Sequence, residues 1–168
     1  GSGLVVTGSV FSGEVALNGE IYLDPGNRPI RVRAIHTQNQ PAEKAQIGDR
    51  CAINLAGHNP NRDRISRGNW LTSNPSHEPT LRFDMLVKVL ESEKRPLRHW
   101  TPVHVHTAAN HVTGRVATLQ ATTITPNEEG LVQIIVNEAI NVCMGDRVIL
   151  RDQAALKTIA GGIIVSPY

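Results

Sequence analysis

Three of the chain's histidines lie close together, His104, His106 and His111, and imidazoles so spaced invite a metal-site reading. His104 and His106 share one face of an alternating run, Val103-His104-Val105-His106, and His111 follows five residues later. Imidazole nitrogens converging in this way suit zinc and related ions. No Asp or Glu lies nearby to complete a ligand set or to orient a ring. A polar strand face meeting solvent or RNA accounts for the same spacing, so no metal site is assigned. Ser12, Ser66 and Ser76 stand outside any His-and-acid constellation, and no catalytic residue is assigned. The chain has no G-x-x-x-x-G-K-[ST] run to cradle a nucleoside triphosphate, no G-x-S-x-G and no H-E-x-x-H.

Positive charge is distributed with a bias. Net charge is only +2, yet 13 of the 17 basic residues are arginine. Arginine's planar fork of donors fits phosphate oxygens and base edges, whereas lysine is a hydrated point charge. Arg62, Arg64 and Arg67 crowd one polar loop, Gly57–Gly68, which reads as a solvated loop or as an edge that tracks phosphates. Cys51 and Cys143 sit singly in apolar stretches outside any C-x-x-C motif, and are read as buried free thiols.

The elements that must position these groups are strands. Apolar or alternating runs recur between Gly, Pro, Asn and Asp, the punctuation of an all-β protein. Val5–Phe11, Ile30–Ala34, Ala52–Leu55, Val103–His106, Leu131–Val136 and Arg147–Leu150 read as strands. The best helical candidate is a single turn near Ala42–Gln46. A polar, proline-containing stretch, Ser73–Pro79, divides the chain near its middle. Each half suits a small antiparallel barrel, because closure removes the exposed edges that short strands leave. Two echoes support the division: Val6-Thr7-Gly8-Ser9-Val10 with Val112-Thr113-Gly114-Arg115-Val116, and Gly48-Asp49-Arg50 with Gly145-Asp146-Arg147. The expected architecture is two consecutive barrels, residues 1–74 and 75–168. With aromatics at 4%, their cores must be built from Val, Ile, Leu and Ala. No apolar run reaches the ~20 residues of a membrane span. No exposed hydrophobic stripe is evident that would favour a protein-binding scaffold.

Several motifs in order carry a family resemblance. Gly1–Val10 resembles the G-x-G-x-V-V-T-G-x-V strand that opens the second domain of EF-Tu-type translation factors. Leu17–Ile21, Ala45–Leu55 and Ile65–Leu71 resemble the hairpin and strands that follow it. Arg31–His36 with Gln38–Pro41, and Trp70 after Gly68-Asn69, are similar to the selenocysteine-specific elongation factors. So are Pro102–His106, His111–Val116, Arg147–Asp152 and Thr158–Gly162 in the second half. The equivalent barrels of EF-Tu or of an initiation factor's γ subunit are the alternative, against which Trp70 and the His36 segment argue.

The resemblance implies a cytoplasmic, monomeric factor that delivers selenocysteinyl-tRNA to the ribosome, with no membrane role. It implies that the first barrel lines the tRNA 3′ end and aminoacyl group with Thr7, His36 and Arg50. It implies that the second holds the acceptor and T stems with Arg98, Thr113, Arg115 and Arg151. GTP and Mg²⁺ would belong to a GTPase domain ahead of Gly1, and an mRNA hairpin to a domain after Tyr168. On this expectation the chain itself is not an enzyme and carries no cofactor.

Overall fold

A computed structural model describes residues 4–24, 27–57, 65–74 and 78–167. Among these residues there are sixteen strands and no helix. They form two compact units, one of Gly1–Ser66 with Trp70–His77 and the other of Arg67–Asn69 with Glu78–Tyr168.

The first unit holds β1 (Leu4–Ser9), β2 (Glu14–Ala16), β3 (Glu20–Asp24), β4 (Arg28–Thr37), β5 (Gln40–Ala42), β6 (Lys44–Gln46), β7 (Arg50–Ala56) and β8 (Trp70–Thr72). Its ladder runs β1-β7-β4-β3-β8, with β5 added to β4, and β2 pairs with β6 as a separate ribbon. Period-two alternation sorts the side chains. Val32 and Ile35 of β4 and Cys51, Ile53 and Leu55 of β7 face one core, joined by Ile21 and Leu23 from β3. Ala45 of β6 is fully buried in that core and Val15 of β2 packs on it, so the ribbon covers the same interior as the main sheet. That is how so few strands enclose an apolar centre without wide exposed edges.

The helical turn expected near Ala42–Gln46 is replaced by β5 and β6. Pairing of Glu14–Ala16 with Lys44–Gln46 satisfies the backbone there and sends Ala45 inward, which no single helical turn would do. The strand expected over Val5–Phe11 ends at Ser9, and the Phe11 ring instead meets Trp70 at 5.4 Å.

The second unit holds β9 (Thr80–Val89), β10 (Leu97–Arg98), β11 (Thr101–Thr107), β12 (Asn110–Thr118), β13 (Thr123–Ile124), β14 (Glu129–Ile140), β15 (Arg147–Arg151) and β16 (Thr158–Ser166). Six of them close a barrel in the order β11-β12-β14-β9-β16-β15, and β10 pairs with β13 apart from it. Its core is aliphatic, as the composition demands: Val103, Val105, Val116, Val132, Ile134 and Leu150, with Phe83 and Met85 added from β9. Cys51 is buried and Cys143 half-buried, and neither forms a disulfide.

The Gly-Asp-Arg echo is one turn made twice. The Asp49 carboxylate accepts the Gln46 amide at 2.9 Å, and the Asp146 carboxylate accepts the Cys143 amide at 2.8 Å. Gly48 and Gly145 take φ values of 92° and 88°, conformations that L side chains rarely adopt. Each turn launches a strand, β7 in one unit and β15 in the other.

Gly114 serves a different need. A Cβ there would lie 2.5 Å from the Ile135 carbonyl oxygen of β14. Gly114→Ala must therefore spread β12 from β14, at a cost of about 1–3 kcal/mol for overpacking. A fall of several degrees or more in melting temperature is expected, read by calorimetry. Unchanged melting would mean that the strand spacing is not set here.

Candidate functional site

In the first unit, antiparallel register brings the expected residues onto one face. Thr7 of β1 lies opposite Ala52 of β7, and Ala52 lies opposite His36 of β4. Opposed residues in a ladder point to the same side, so Thr7, Ala52 and His36 form one row across three strands. Pro41 of β5 extends the row beyond His36. Arg50 begins β7 two residues before Ala52 and shares its face. Thr7, His36 and Arg50 are all exposed. Among the described residues, the Arg50 side chain has no hydrogen-bond or ion-pair partner, leaving its guanidinium open to an anion.

The centre of this face is low. After Arg50 the outward residues of β7 are Ala52, Asn54 and Ala56. At Ala52 the middle strand offers only a methyl between Thr7 on one side and His36 on the other, which leaves a trough in that row. Its walls stand two strand spacings apart, about 10 Å. Arg31 and Arg33 of β4 both face solvent beside it, and the bulge between Val32 and Ala34 shifts the strand's parity so that His36 also points outward while Ile35 stays in the core. Asn54 opposes Val5 and Ala34 in the next row, and its side-chain oxygen is buried with no partner.

Arg147 follows the same turn as Arg50 but meets different neighbours. It lies opposite Ile163, which lies opposite Leu86. Leu86 and Ile163 are exposed, and Ile149 two residues beyond Arg147 is exposed as well. The second barrel therefore does carry an apolar outer stripe, against the sequence expectation. Strand alternation across a ladder creates it from residues scattered along the chain. Arg147 shares a row with Ile163 and Leu86, whereas Arg50 shares a face with Thr7 and His36.

In the second unit Thr113 of β12, His104 of β11 and Arg151 of β15 form one row. Arg115 lies two residues along from Thr113 on the same exposed face. Asn137 donates to the Thr113 hydroxyl oxygen at 2.7 Å, so that hydroxyl's own proton is available to a ligand. Arg151 donates to the Leu156 carbonyl at 3.2 Å. Beyond Arg151, Asp152 accepts the Leu156 and Lys157 amides at 2.8 and 3.1 Å. The Lys157 amide is the main cause of an Asp152 pKa below the ordinary carboxylate value. Arg98 stands apart on the β10–β13 ribbon, two residues before Trp100, whose carbonyl Arg115 reaches at 3.4 Å. Arg62 and Arg64 lie outside the described residues; Arg67 is exposed.

The three histidines do converge, on one another. A ring nitrogen of His104 lies 2.9 Å from His111, and its other nitrogen lies 3.2 Å from the Gln153 carbonyl. A carbonyl only accepts, so His104 carries a proton on Nε2, and in the neutral ring its Nδ1 accepts from His111. His106 stacks on His111 with centroids 4.3 Å apart. Among the described residues no group of three or more His, Cys, Asp or Glu side chains is arranged to hold a metal ion.

Burial first, then the neighbouring His111, Arg151 and His104, lower the His106 pKa below its ordinary 6.5. The unfolded chain thus binds this proton more readily than the folded one. The stabilising contribution is complete above the unfolded value and is lost as pH falls towards the folded one. Melting temperature is expected to drop as pH falls below 6.5, and His106→Phe, which keeps a stacked ring, should flatten that part of the profile. An unaltered profile in the variant would remove His106 from the account.

Comparison with known proteins agrees with this architecture. Residues 3–72 match the family model described as elongation factor Tu domain 2. Residues 84–168 match that of the selenocysteine-specific elongation factor β-barrel domain. The selenocysteine-specific elongation factor of Escherichia coli (strain K12) is 41% identical over 98% of this chain and 25% of its own length. That of Haemophilus influenzae is 38% identical over 98% of this chain and 26% of its own length. The apo structure of elongation factor SelB from Methanococcus maripaludis superposes with a TM-score of 0.82 at 23% identity, covering 98% of this chain and 40% of that one. At that identity the likeness speaks for the fold.

Fold and matches together define an EF-Tu-type elongation-factor module of two small antiparallel barrels. More narrowly, the chain belongs to the selenocysteine-specific elongation factor family. It spans about a quarter of the length of the curated relatives it matches.

Sequence reasoning missed Trp100 and His99. The exposed indole stacks on the His99 ring, centroids 5.3 Å apart, beside Arg98 and Arg115. The signal was an aromatic next to basic residues in Arg98-His99-Trp100.

Proposed function

We propose that this chain holds aminoacylated tRNA for a selenocysteine-specific elongation factor. The first unit receives the 3′ end and aminoacyl group at Thr7, His36 and Arg50. The second grips the acceptor and T stems with Arg98, Thr113, Arg115 and Arg151. The observation that carries this reading is the trough over Ala52, walled by Thr7 and His36 and bordered by the unpartnered Arg50.

The chemistry follows from the charge of the cargo. A selenol is far more acidic than a thiol, whose free pKa is about 8.5, so selenocysteine reaches the site as an anion near neutral pH. Arg50 stabilises that anion by a charge-assisted contact and gains nothing comparable from neutral serine. A contact of about 1.5–3 kcal/mol corresponds to roughly ten- to a hundredfold preference. Thr113, Arg115 and Arg151 present donors on one barrel face, a pattern suited to phosphate oxygens that carries little sequence information. GTP and Mg²⁺ have no P-loop to receive them in these units and belong elsewhere in the full-length factor. So does recognition of the mRNA hairpin. Delivery takes place at the ribosome, in the cytoplasm, with this module acting as a monomer.

The test compares binding of selenocysteinyl- and seryl-tRNA to the chain and to Arg50→Ala. The selenocysteinyl form is expected to bind at least tenfold more tightly, and Arg50→Ala to erase the difference while leaving seryl-tRNA binding nearly unchanged. Affinity for either should fall steeply with salt as phosphate counterions are released. Equal binding of both forms would remove Arg50 as the discriminating group. Binding indifferent to salt would remove the phosphate grip.

A further inference from the structure

We infer that Trp100 and His99 form a stacking platform for an unpaired nucleotide of the bound RNA, with Arg115 and Arg98 beside it for the phosphate. This rests on the tRNA-holding reading and adds to it an RNA contact that stem-gripping arginines do not supply.

The case begins with backbone strain. Trp100 sits at φ 70° in the two-residue turn between β10 and β11. A bulky L-residue there costs about 1–2 kcal/mol that glycine would avoid. The other non-glycine residues at positive φ among those described are Asn, Gln and Ala, so Trp100 is the single aromatic in the set. The indole does not recover that cost by burial, since it is 51% exposed. Its amide donates to the Val116 carbonyl at 2.6 Å, and its carbonyl accepts from Arg115 at 3.4 Å. The turn is thus anchored to β12 while the ring stays outside. A strained, anchored, exposed aromatic points to a ligand contact.

The surroundings define that ligand. The His99 ring lies nearly parallel to the indole, with 15° between planes, and its Nδ1 is 3.4 Å from the Thr118 hydroxyl. His99 covers part of the indole and leaves exposed ring surface that a further flat group can extend. A shallow groove beside His99 is lined by Thr118, Leu119, Gln120, Ala121 and Thr122, which offer hydroxyl and amide groups to a base edge. Glu128 and Glu129 border the adjoining depression, so a phosphate is directed to the Arg115 side. Flat aromatic surface, neutral hydrogen-bonding groups and a flanking guanidinium are the elements by which proteins hold a splayed-out nucleotide. A base inside a stem is already stacked, so the platform takes an unpaired one.

The chain has two tryptophans, so Trp70→Phe leaves Trp100 as the sole indole reporter. That protein is titrated with tRNA, with a short single-stranded oligoribonucleotide and with a blunt RNA duplex, while anisotropy of labelled RNA reports binding separately. Trp100 emission should be quenched by tRNA and by the single strand but not by the duplex. Trp100→Ala should weaken tRNA binding roughly five- to a hundredfold. Trp100→Gly, which relieves the backbone, should weaken RNA binding as much while leaving melting temperature equal or higher. A structural role predicts lower melting. If tRNA binds with Trp100 emission unchanged and Trp100→Ala is without effect, the platform is overturned and the arginine grip stands. If tRNA does not bind at all, the tRNA-holding reading falls, and the single-stranded RNA alone decides the platform.

Discussion

The first unit depends on the ladder that holds β7 from both sides. Hydrogen bonding to β1 and to β4 leaves this strand no freedom to slip, because a one-residue shift would send Cys51, Ile53 and Leu55 to solvent. With the inward set fixed by the core, the outward set is fixed too: Arg50, Ala52, Asn54 and Ala56. The candidate site is therefore the reverse side of the hydrophobic core. Its rigidity derives from apolar burial, and its depth from the single methyl of Ala52 between Thr7 and His36.

The second barrel applies the same constraint to a different surface. Closure of six strands leaves no free ladder edge, and each strand turns a polar or apolar face outward according to its parity. On β11 and β12 that parity delivers His104, His106, His111, Thr113 and Arg115 to one side. On β9, β15 and β16 it delivers Leu86, Ile149 and Ile163. Polar and apolar outer faces arise from one rule, so the basic surface and the greasy stripe are equally products of register.

Much of this was legible in the sequence because it is local. Alternation in Ile30–Ala34 and Val103–His106, and the Gly-Asp turns before Arg50 and Arg147, are written in a few adjacent residues. Partnership across a ladder is not. Nothing local says that Ala52 lies between Thr7 and His36, or that Leu86 faces Ile163, because pairing joins residues tens of positions apart. The segment Ala42–Gln46 misled for the same reason: its conformation is set by Glu14–Ala16, not by its own propensity. Trp100 escaped notice because its positive φ is a property of the turn.

If the trough along β7 is the seat of the aminoacyl end, filling it must destroy that function without loosening the fold. The direct measurement is the affinity of Ala52→Leu for selenocysteinyl-tRNA, taken together with its melting temperature. Ala52 faces away from the core, so melting should change little, while affinity should fall at least tenfold as the added side chain occupies the space between Thr7 and His36. Unchanged affinity in a folded Ala52→Leu protein would contradict the account, because the 3′ end would then be held somewhere other than this face.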